Sequence, residues 1–214
     1  MKNFKAVIYD LDGTLVDSAP TVSFVLNKLR VSLGLSELQQ SDFYDWISLG
    51  GKELIIRALN IAEDQSDTFL ADFRKMYVYK DVPISTVYPN VLKTLNDLIC
   101  RGVKVGLCSN KPRHLVDSVL DDTGLISLFE CVLAGDDLPT KKPSAANLNW
   151  CLNSLNTQPE DALFVGDSTV DQMAANNTGI SFAFFSNGYN DGVSEKDAYR
   201  VFHDHGQFMQ LIFA

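Results

Sequence analysis

The sequence predicts an α/β fold in which a parallel β-sheet core carries an inserted, all-helical domain. The apolar run at 7–9 has no polar alternation, which is typical of a strand buried on both faces of a parallel sheet. Between 17 and 86 the apolar residues show only helical spacing, and from residue 87 onward helical and strand patterns alternate. We therefore expect a core made of residues 1–16 and 87–214, and a helical cap made of residues 17–86.

The first strand leads directly into two carboxylates, Asp10 and Asp12, and a turn at Gly13. In open α/β sheets ligands bind just outside the carboxyl ends of the strands, so Asp10 is placed for chemistry. Two carboxylates this close repel each other unless a cation neutralises them or they differ in protonation. Both conditions fit phosphoryl transfer, in which Mg²⁺ takes carboxylate ligands, an ionised aspartate attacks phosphorus and a carboxylic acid protonates the leaving oxygen. The pattern predicts Asp10 as the nucleophile and Asp12 as the acid/base.

A calcium loop and an ordinary surface turn are the alternatives for this stretch. An EF-hand loop counted from Asp10 fails, because Leu15 stands where that loop needs glycine and Thr21 stands where it needs glutamate. A turn after a strand stays open for these residues taken alone.

Three groups of apolar residues at helical spacing follow the aspartates. The first lies at 22–33 and ends before Gly34, and the others lie at 54–62 and 69–77. Apolar stripes of this kind usually form the core of a helical domain. Because the insertion leaves the sheet at its carboxyl edge, we expect the cap to lie over the active site as a lid.

Later in the chain, strands and helices alternate. We predict strands at 103–108, 131–134, 162–165 and 182–185. We predict helices before or between them at 90–100, 115–120, 145–155 and 169–177. This succession indicates a parallel sheet with helices on both faces.

Polar residues follow these strands, as they follow the first: Ser109 and Asn110, then Lys142, then Asp167 and Asp171. A serine hydroxyl can donate to a phosphate oxygen, and a lysine places positive charge where phosphoryl oxygens carry negative charge. Asp167 would complete the protein's share of a Mg²⁺ site, and Asp171, one helical turn further, would ligate the metal or orient a metal-bound water. Each residue alone has a commoner structural explanation, but at successive strand ends they predict one phosphoryl-transfer site.

These motifs together resemble those of the haloacid dehalogenase-like (HAD) hydrolase superfamily, in particular its phosphoglycolate phosphatase-like branch. The matching segments, in chain order, are 10–15, Ser109-Asn110, Lys142-Pro143 and 166–171. The resemblance implies a Rossmann-like core with a helical cap that is inserted after the first strand and closes over a phosphomonoester.

The resemblance also implies Mg²⁺ held by the carboxylates of Asp10 and Asp167 and by the backbone carbonyl of Asp12. Asp171 supports these ligands. The leading hypothesis is a Mg²⁺-dependent phosphatase that hydrolyses a small-molecule phosphomonoester, phosphoglycolate-like or a sugar phosphate, through an aspartyl-phosphate on Asp10. A sugar phosphomutase with the same nucleophile and a non-catalytic binding module are the alternatives.

We expect Ser109, Asn110 and Lys142 to bind the phosphate group, and Lys52 in the cap to bind the substrate. Arg57 and Lys111 are further candidates for contacting the far end of the substrate. For these three cations outside the motifs, a solvated side chain is the alternative.

Charge and hydropathy limit the classes of binding partner and the cellular location that we expect. The 214-residue chain has a net charge of -9, which argues against nucleic acid or an anionic membrane as a partner. No apolar run reaches transmembrane length and no signal-peptide pattern precedes the first strand, which predicts a cytoplasmic protein. The sequence does not indicate an oligomeric state.

Cysteines and histidines give no sign of a second metal site. The four cysteines match no zinc or CxxC spacing, and we expect them to be reduced, small apolar core residues. His203 and His205 have no cysteine nearby and are expected on the surface.

Overall fold

A computed structural model of the chain describes residues 4–47, 49–77 and 86–213. Within these ranges the strands are β1 Ala6–Tyr9, β2 Val16–Asp17, β3 Thr86–Val87, β4 Lys104–Cys108, β5 Cys131–Leu133, β6 Ala162–Gly166, β7 Ser181–Phe185 and β8 Arg200–Phe202. The helices are α1 Ala19–Ser32, α2 Tyr44–Ile47, α3 Gly51–Leu59, α4 Ser66–Tyr77, α5 Val91–Cys100, α6 Arg113–Thr123, α7 Ala145–Ser154, α8 Thr169–Thr178 and α9 His205–Phe213.

The core contains a six-stranded sheet in the order β5-β4-β1-β6-β7-β8, and every strand pair in it is parallel. β1 lies in the middle, with Tyr9 opposite Leu107 of β4 and Val165 of β6. All four β1 residues are buried, as the absence of polar alternation predicts. The predicted α/β, Rossmann-like parallel sheet is confirmed.

Successive residues of a strand point to opposite faces of the sheet. Because both faces carry apolar side chains, helices pack on both. Val7 and Tyr9 belong to the apolar cluster shared with α5, α6 and α9. Ala6 and Ile8 belong to the cluster shared with α7 and α8. The carboxyl edge of the sheet therefore lies between two buried apolar layers.

The helical cap is built from α1, α2, α3 and α4, which share one apolar cluster of their own. The chain passes into and out of these helices through the antiparallel ribbon of β2 and β3. Leu115 of α6 also belongs to the cap cluster, so the cap packs on the core beside the carboxyl ends of the strands. The division at residues 16/17 and 86/87 stays a prediction, and positions 48 and 78–85 of the predicted cap lie outside the described residues.

Some elements differ from the sequence prediction. The helix predicted to extend to residue 62 ends at Leu59, because Asn60 adopts a left-handed conformation with φ 52°. β8 and α9 form an additional strand and helix at the C-terminal end of the described chain. Cys108, Cys131 and Cys151 are buried as expected, whereas Cys100 is exposed. No helix in the described ranges has both the length and the apolar character needed to cross a membrane.

Candidate active site

The turn after β1 brings Asp10 and Asp12 to the carboxyl edge of the sheet. The Asp10 backbone N–H donates to the Val165 carbonyl at 2.9 Å, which continues the pairing with β6. Gly13 then has φ 81°, and a Cβ on it would overlap the Asp167 carboxylate. Glycine is required here both for the backbone conformation and for the approach of Asp167.

Lys142 lies between two of the predicted site aspartates. Its Nζ is 2.6 Å from Asp10 Oδ1 and 2.7 Å from Asp171 Oδ1, and all three side chains are buried. Burial acts to lower the pKa of Lys142, but the two carboxylates outweigh it and raise that pKa above its usual value. Burial raises the pKa of Asp10 to about 7 although Lys142 opposes the shift, and the nearby Asp171 carboxylate adds to it.

Asp167 is held at the end of β6 by two donors from other segments. The Thr14 hydroxyl donates to its Oδ1 at 2.8 Å, and the Tyr189 backbone N–H donates to its Oδ2 at 2.8 Å. Burial, followed by the Asp171 and Asp10 carboxylates, raises the pKa of Asp167 well above its usual value. Negative charge at this position is therefore costly without a neighbouring cation.

The carboxylates fit a hard divalent cation. Oxygen atoms of Asp10, Asp167 and Asp171 lie within 4.8 Å of one another. Asp171 Oδ1 accepts from Lys142, and its Oδ2 accepts from the hydroxyl and backbone N–H of Ser168 at 2.6 and 3.2 Å. Both Asp171 oxygens thus have protein partners, which suits a supporting role beside the metal better than direct ligation.

Asp12 has a lysine of its own. Lys111 Nζ is 3.0 and 3.1 Å from the two Asp12 carboxylate oxygens and 3.0 Å from the hydroxyl of Tyr77, the last residue of α4 in the cap. The Lys111 side chain is only 7% exposed. Burial acts to lower the pKa of Lys111, but Asp12 and Tyr77 raise it above its usual value. The alternative of a solvated Lys111 is wrong.

Ser109 and Asn110 follow β4 as predicted. The Ser109 backbone N–H donates to Leu133 of β5 at 2.9 Å, and its hydroxyl oxygen accepts from the Lys111 backbone N–H at 3.1 Å. The Asn110 side chain bonds the Lys142 backbone twice, donating to the carbonyl at 3.0 Å and accepting from the N–H at 2.9 Å. Asn110 therefore positions the segment that carries Lys142.

A cavity between cap and core joins these groups. Its volume is about 720 Å³ including its open mouth. The predicted site residues that line it are Asp10, Asp12, Ser109, Asn110, Lys142, Asp167 and Asp171. From the cap side it is lined by uncharged residues, among them Leu54, Phe73 and Tyr77.

The structure does not bring Lys52 to this cavity. Its side chain is 52% exposed, and its Nζ lies 2.8 Å from an Asp67 carboxylate oxygen on the cap surface. Arg57, the other cap candidate, pairs with Glu53 at 2.6 Å, and both side chains are about half exposed. Each cation pairs within the cap and neither lines the cavity, so the contact between Lys52 and the substrate stays a prediction.

His205 is buried behind the site, and its predicted place on the surface is wrong. Its Nε2 lies 2.9 Å from the Thr14 carbonyl, so this nitrogen carries the proton and donates. Burial lowers the pKa of His205 to about 4, which keeps it neutral. The apolar spacing of α9 could have revealed this face, since His205, Phe208 and Ile212 are its buried residues.

Comparison with known proteins agrees with this arrangement. The sequence profile of the haloacid dehalogenase-like hydrolases matches residues 7–185. The chain belongs to this hydrolase family. Two of its relatives are phosphoglycolate phosphatase 1 of Pseudomonas aeruginosa, 36% identical over 88% of this chain and 71% of the relative, and phosphoglycolate phosphatase of Vibrio cholerae, 32% identical over 99% and 98%.

Among solved structures, this HAD hydrolase is similar to a predicted phosphoglycolate phosphatase from Haemophilus somnus. The two share 30% identity and superpose with a TM-score of 0.90 over 99% of each chain. The predictions of an enzyme of the hydrolase class and of a phosphoglycolate phosphatase-like member of the family are confirmed.

Proposed function

We propose that this HAD hydrolase is a Mg²⁺-dependent phosphatase that acts on small-molecule phosphomonoesters through an aspartyl-phosphate on Asp10. Its relatives named phosphoglycolate phosphatase point to the enzyme class, a phosphoric monoester hydrolase. The observation that carries the proposal is that Asp10 and Asp12 line one cavity but pair with different buried lysines, Lys142 and Lys111. Two carboxylates with separate surroundings suit two different roles in one reaction.

In the first half of the reaction, an Asp10 carboxylate oxygen bonds to phosphorus and the bond from phosphorus to the ester oxygen breaks. Asp12, in its protonated form, gives its proton to the departing oxygen. In the second half, the ionised Asp12 takes a proton from water, the water oxygen bonds to phosphorus, and the bond to Asp10 breaks. The ion pair with Lys111 holds the Asp12 carboxylate in position at the cavity.

The phosphoryl group would be held by residues at neighbouring strand ends. Ser109 donates its hydroxyl to one phosphoryl oxygen, and Lys142 offsets charge on the others. The Asp10 and Asp167 carboxylates and the Asp12 backbone carbonyl would hold Mg²⁺, with Asp171 in support. When bound, the metal neutralises the carboxylates and orients the phosphoryl group.

The test is phosphate release from an aryl phosphate and from a panel that contains phosphoglycolate and sugar phosphates, with Mg²⁺ or with a chelator. We expect hydrolysis only with Mg²⁺, and we expect Asp10→Asn to lower kcat by about ten-thousandfold or more, because the nucleophile is lost. Asp67→Asn is the matched control, since Asp67 lies on the exposed cap surface. It should leave the rate unchanged.

Two other outcomes would contradict the proposal. If the wild type releases no phosphate but isomerises glucose 1-phosphate, the chain is a phosphomutase. If it does neither and still binds phosphate esters, it is a binding module.

A further inference from the structure

The chain segment that follows β7 is packed directly against the Asp167 carboxylate. A Cβ on Gly188 would overlap Cβ of Asp167 and the carbonyl oxygen of Gly13. A Cβ on Gly13 would lie 2.8 Å from Cδ2 of the Tyr189 ring, which is also too close for a real contact. Only glycine lets the backbone approach this far, so the segment and Asp167 are in contact with no space between them. A displacement of Tyr189 is therefore passed on to Asp167.

Tyr189 joins Asp167 to the entry of the cap. Its backbone N–H donates to Asp167 Oδ2 at 2.8 Å. Its hydroxyl accepts from the Ser18 backbone N–H at 2.9 Å, and it lies 3.1 Å from the Ser18 hydroxyl and 3.4 Å from Asp17 Oδ1. Asp17 ends β2 and Ser18 precedes α1, so these partners lie where the chain passes from the core into the cap.

Ser18 uses its side chain for this contact and not for its own helix. It stands at the N-cap of α1, where a serine hydroxyl usually accepts from the helix backbone, but it makes no such bond. Ser18 is fully buried and Tyr189 is only 6% exposed, so water does not compete for their hydrogen bonds. The Tyr189 ring also stacks on Tyr44 of α2, with 5.4 Å between the centroids. The cap thus holds the Tyr189 side chain at two points.

We propose that Tyr189 is a positioning residue that links the orientation of Asp167 to the position of the cap. This rests on the proposed function in one respect, namely that Asp167 is a ligand of Mg²⁺. The Tyr189 main chain orients the carboxylate, and its side chain is fixed by the cap entry and by α2. Groups that orient a metal ligand commonly change metal affinity by about tenfold to a hundredfold when they are removed. By linkage, a bound metal ion then also favours this position of the cap.

Binding of Mn²⁺ to the substrate-free protein tests the proposal, because Mn²⁺ takes the same oxygen ligands as Mg²⁺ and its unbound form is counted by electron paramagnetic resonance. Tyr189→Phe keeps the ring and the backbone N–H and removes only the hydroxyl. We expect it to raise the Kd for Mn²⁺ by about threefold to tenfold. A merely structural role would lower the resistance to urea and leave the Kd of the folded protein unchanged. Ser18→Ala removes only the facing hydroxyl, should raise the Kd by about twofold, and decides the question if Tyr189→Phe does not fold.

A substitution in the cap tests the link from the other side. Tyr44→Leu removes the ring that stacks on Tyr189 and leaves every core residue in place. We expect it to raise the Kd for Mn²⁺ by about twofold to fivefold. In the Tyr189→Leu background the same substitution should have almost no further effect, because the stacking contact is already gone. Tyr199→Phe is the matched control, since Tyr199 packs on Phe4 and does not line the cavity, and it should leave the Kd unchanged.

The outcomes separate this inference from the proposed function. Wild-type affinity for Mn²⁺ in folded Tyr189→Phe would overturn the inference even if the wild type is an active phosphatase. A further loss on adding Tyr44→Leu to Tyr189→Leu would overturn the link through this ring. Weaker Mn²⁺ binding by Tyr189→Phe, with the control unchanged, supports the inference even if the wild type hydrolyses nothing. A wild type that binds no Mn²⁺ would overturn both the inference and the metal requirement of the proposed function.

Discussion

The nucleophile side and the acid/base side of the site are both organised by a buried lysine, but they differ in what holds that lysine. Lys142 contacts Asp10 and Asp171, which both belong to the core. Lys111 contacts Asp12 in the core and Tyr77 in the cap. The surroundings of the nucleophile are thus complete within one domain, whereas those of the acid/base are completed by the cap.

This difference separates two requirements of the proposed reaction. A nucleophile needs a fixed position whether or not substrate is bound, and the core can supply that alone. Proton transfer to the leaving group and activation of water are useful only when the cavity is covered, since open access to water would allow side reactions. The contact from Tyr77 to Lys111 makes the surroundings of Asp12 depend on the position of the cap.

Within the described ranges, Tyr189 links the nucleophile side of the site to the cap. Its backbone N–H holds Asp167, its hydroxyl accepts from the Ser18 backbone N–H at 2.9 Å, and its ring stacks on Tyr44 of α2 at 5.4 Å. These contacts fix the position of the turn that carries Tyr189. They place no cap group on Asp10 or Lys142.

The largest expected effect is that of Lys142→Met, compared with Lys111→Met. Lys142→Met leaves Asp10 and Asp171 buried without their cation and removes charge stabilisation of the phosphoryl oxygens. We expect kcat/KM to fall by about a thousandfold or more. Lys111→Met should cost about tenfold to a hundredfold, because Asp12 is less buried and can be reached by water.

Steady-state kinetics at saturating Mg²⁺, with urea unfolding of each variant as a check on folding, measures this contrast. Equal losses in the two folded variants would show that the two lysines contribute equally, so that the nucleophile side does not depend more strongly on its cation.

The sequence predicts the core side better than the cap side, for a physical reason. Asp10, Ser109 and Asp167 each follow an apolar strand, and the carboxyl ends of parallel strands meet at one edge. Their neighbourhood is therefore set by sheet topology, which local patterns reveal.

Sheet topology does not indicate which of the two lysines, Lys52 or Lys111, lies at the site. Each is a lysine outside an apolar stripe, and only distant partners distinguish them: Lys111 meets residues 99 and 34 positions away, and Lys52 meets one 15 positions away. His205 is missed for a similar reason, since its burial depends on rings that tertiary packing brings from β1, β7 and β8.

A second prediction tests the core side through pH. His205 donates to the Thr14 carbonyl, and the Thr14 hydroxyl donates to Asp167, so His205 helps to hold the core side of the site. Its folded pKa of about 4 lies below the roughly 6.5 expected in the unfolded chain, although the neighbouring Asp204 acts to raise it. The unfolded chain therefore binds a proton that the folded protein does not, and stability falls as pH drops from about 6.5 to about 4.

Over that window His205 should cost the wild type about 3 kcal/mol of unfolding free energy. The His205→Gln variant keeps a donor for the Thr14 carbonyl but does not titrate. Its unfolding free energy should therefore fall by about 3 kcal/mol less than that of the wild type over the same pH window. Urea unfolding at pH 7.5, 6, 5 and 4 measures the two slopes. Parallel curves would mean that His205 is protonated in the folded protein. Because this contact lies within the core, Tyr77→Phe should leave the pH dependence unchanged.

The smallest expected effect belongs to the cap side, where Tyr77→Phe removes one hydroxyl and keeps the ring. The lost hydrogen bond to Lys111 is worth about 1 kcal/mol, so kcat/KM should fall by about fivefold while the cap still packs. If Tyr77 acts through Lys111, the same substitution in the Lys111→Met background should change kcat/KM by less than about twofold, because the contact is already gone. A full fivefold loss of kcat/KM in that background would mean that Tyr77 acts on the substrate or on cap packing. The acid/base side would then be as independent of the cap as the nucleophile side.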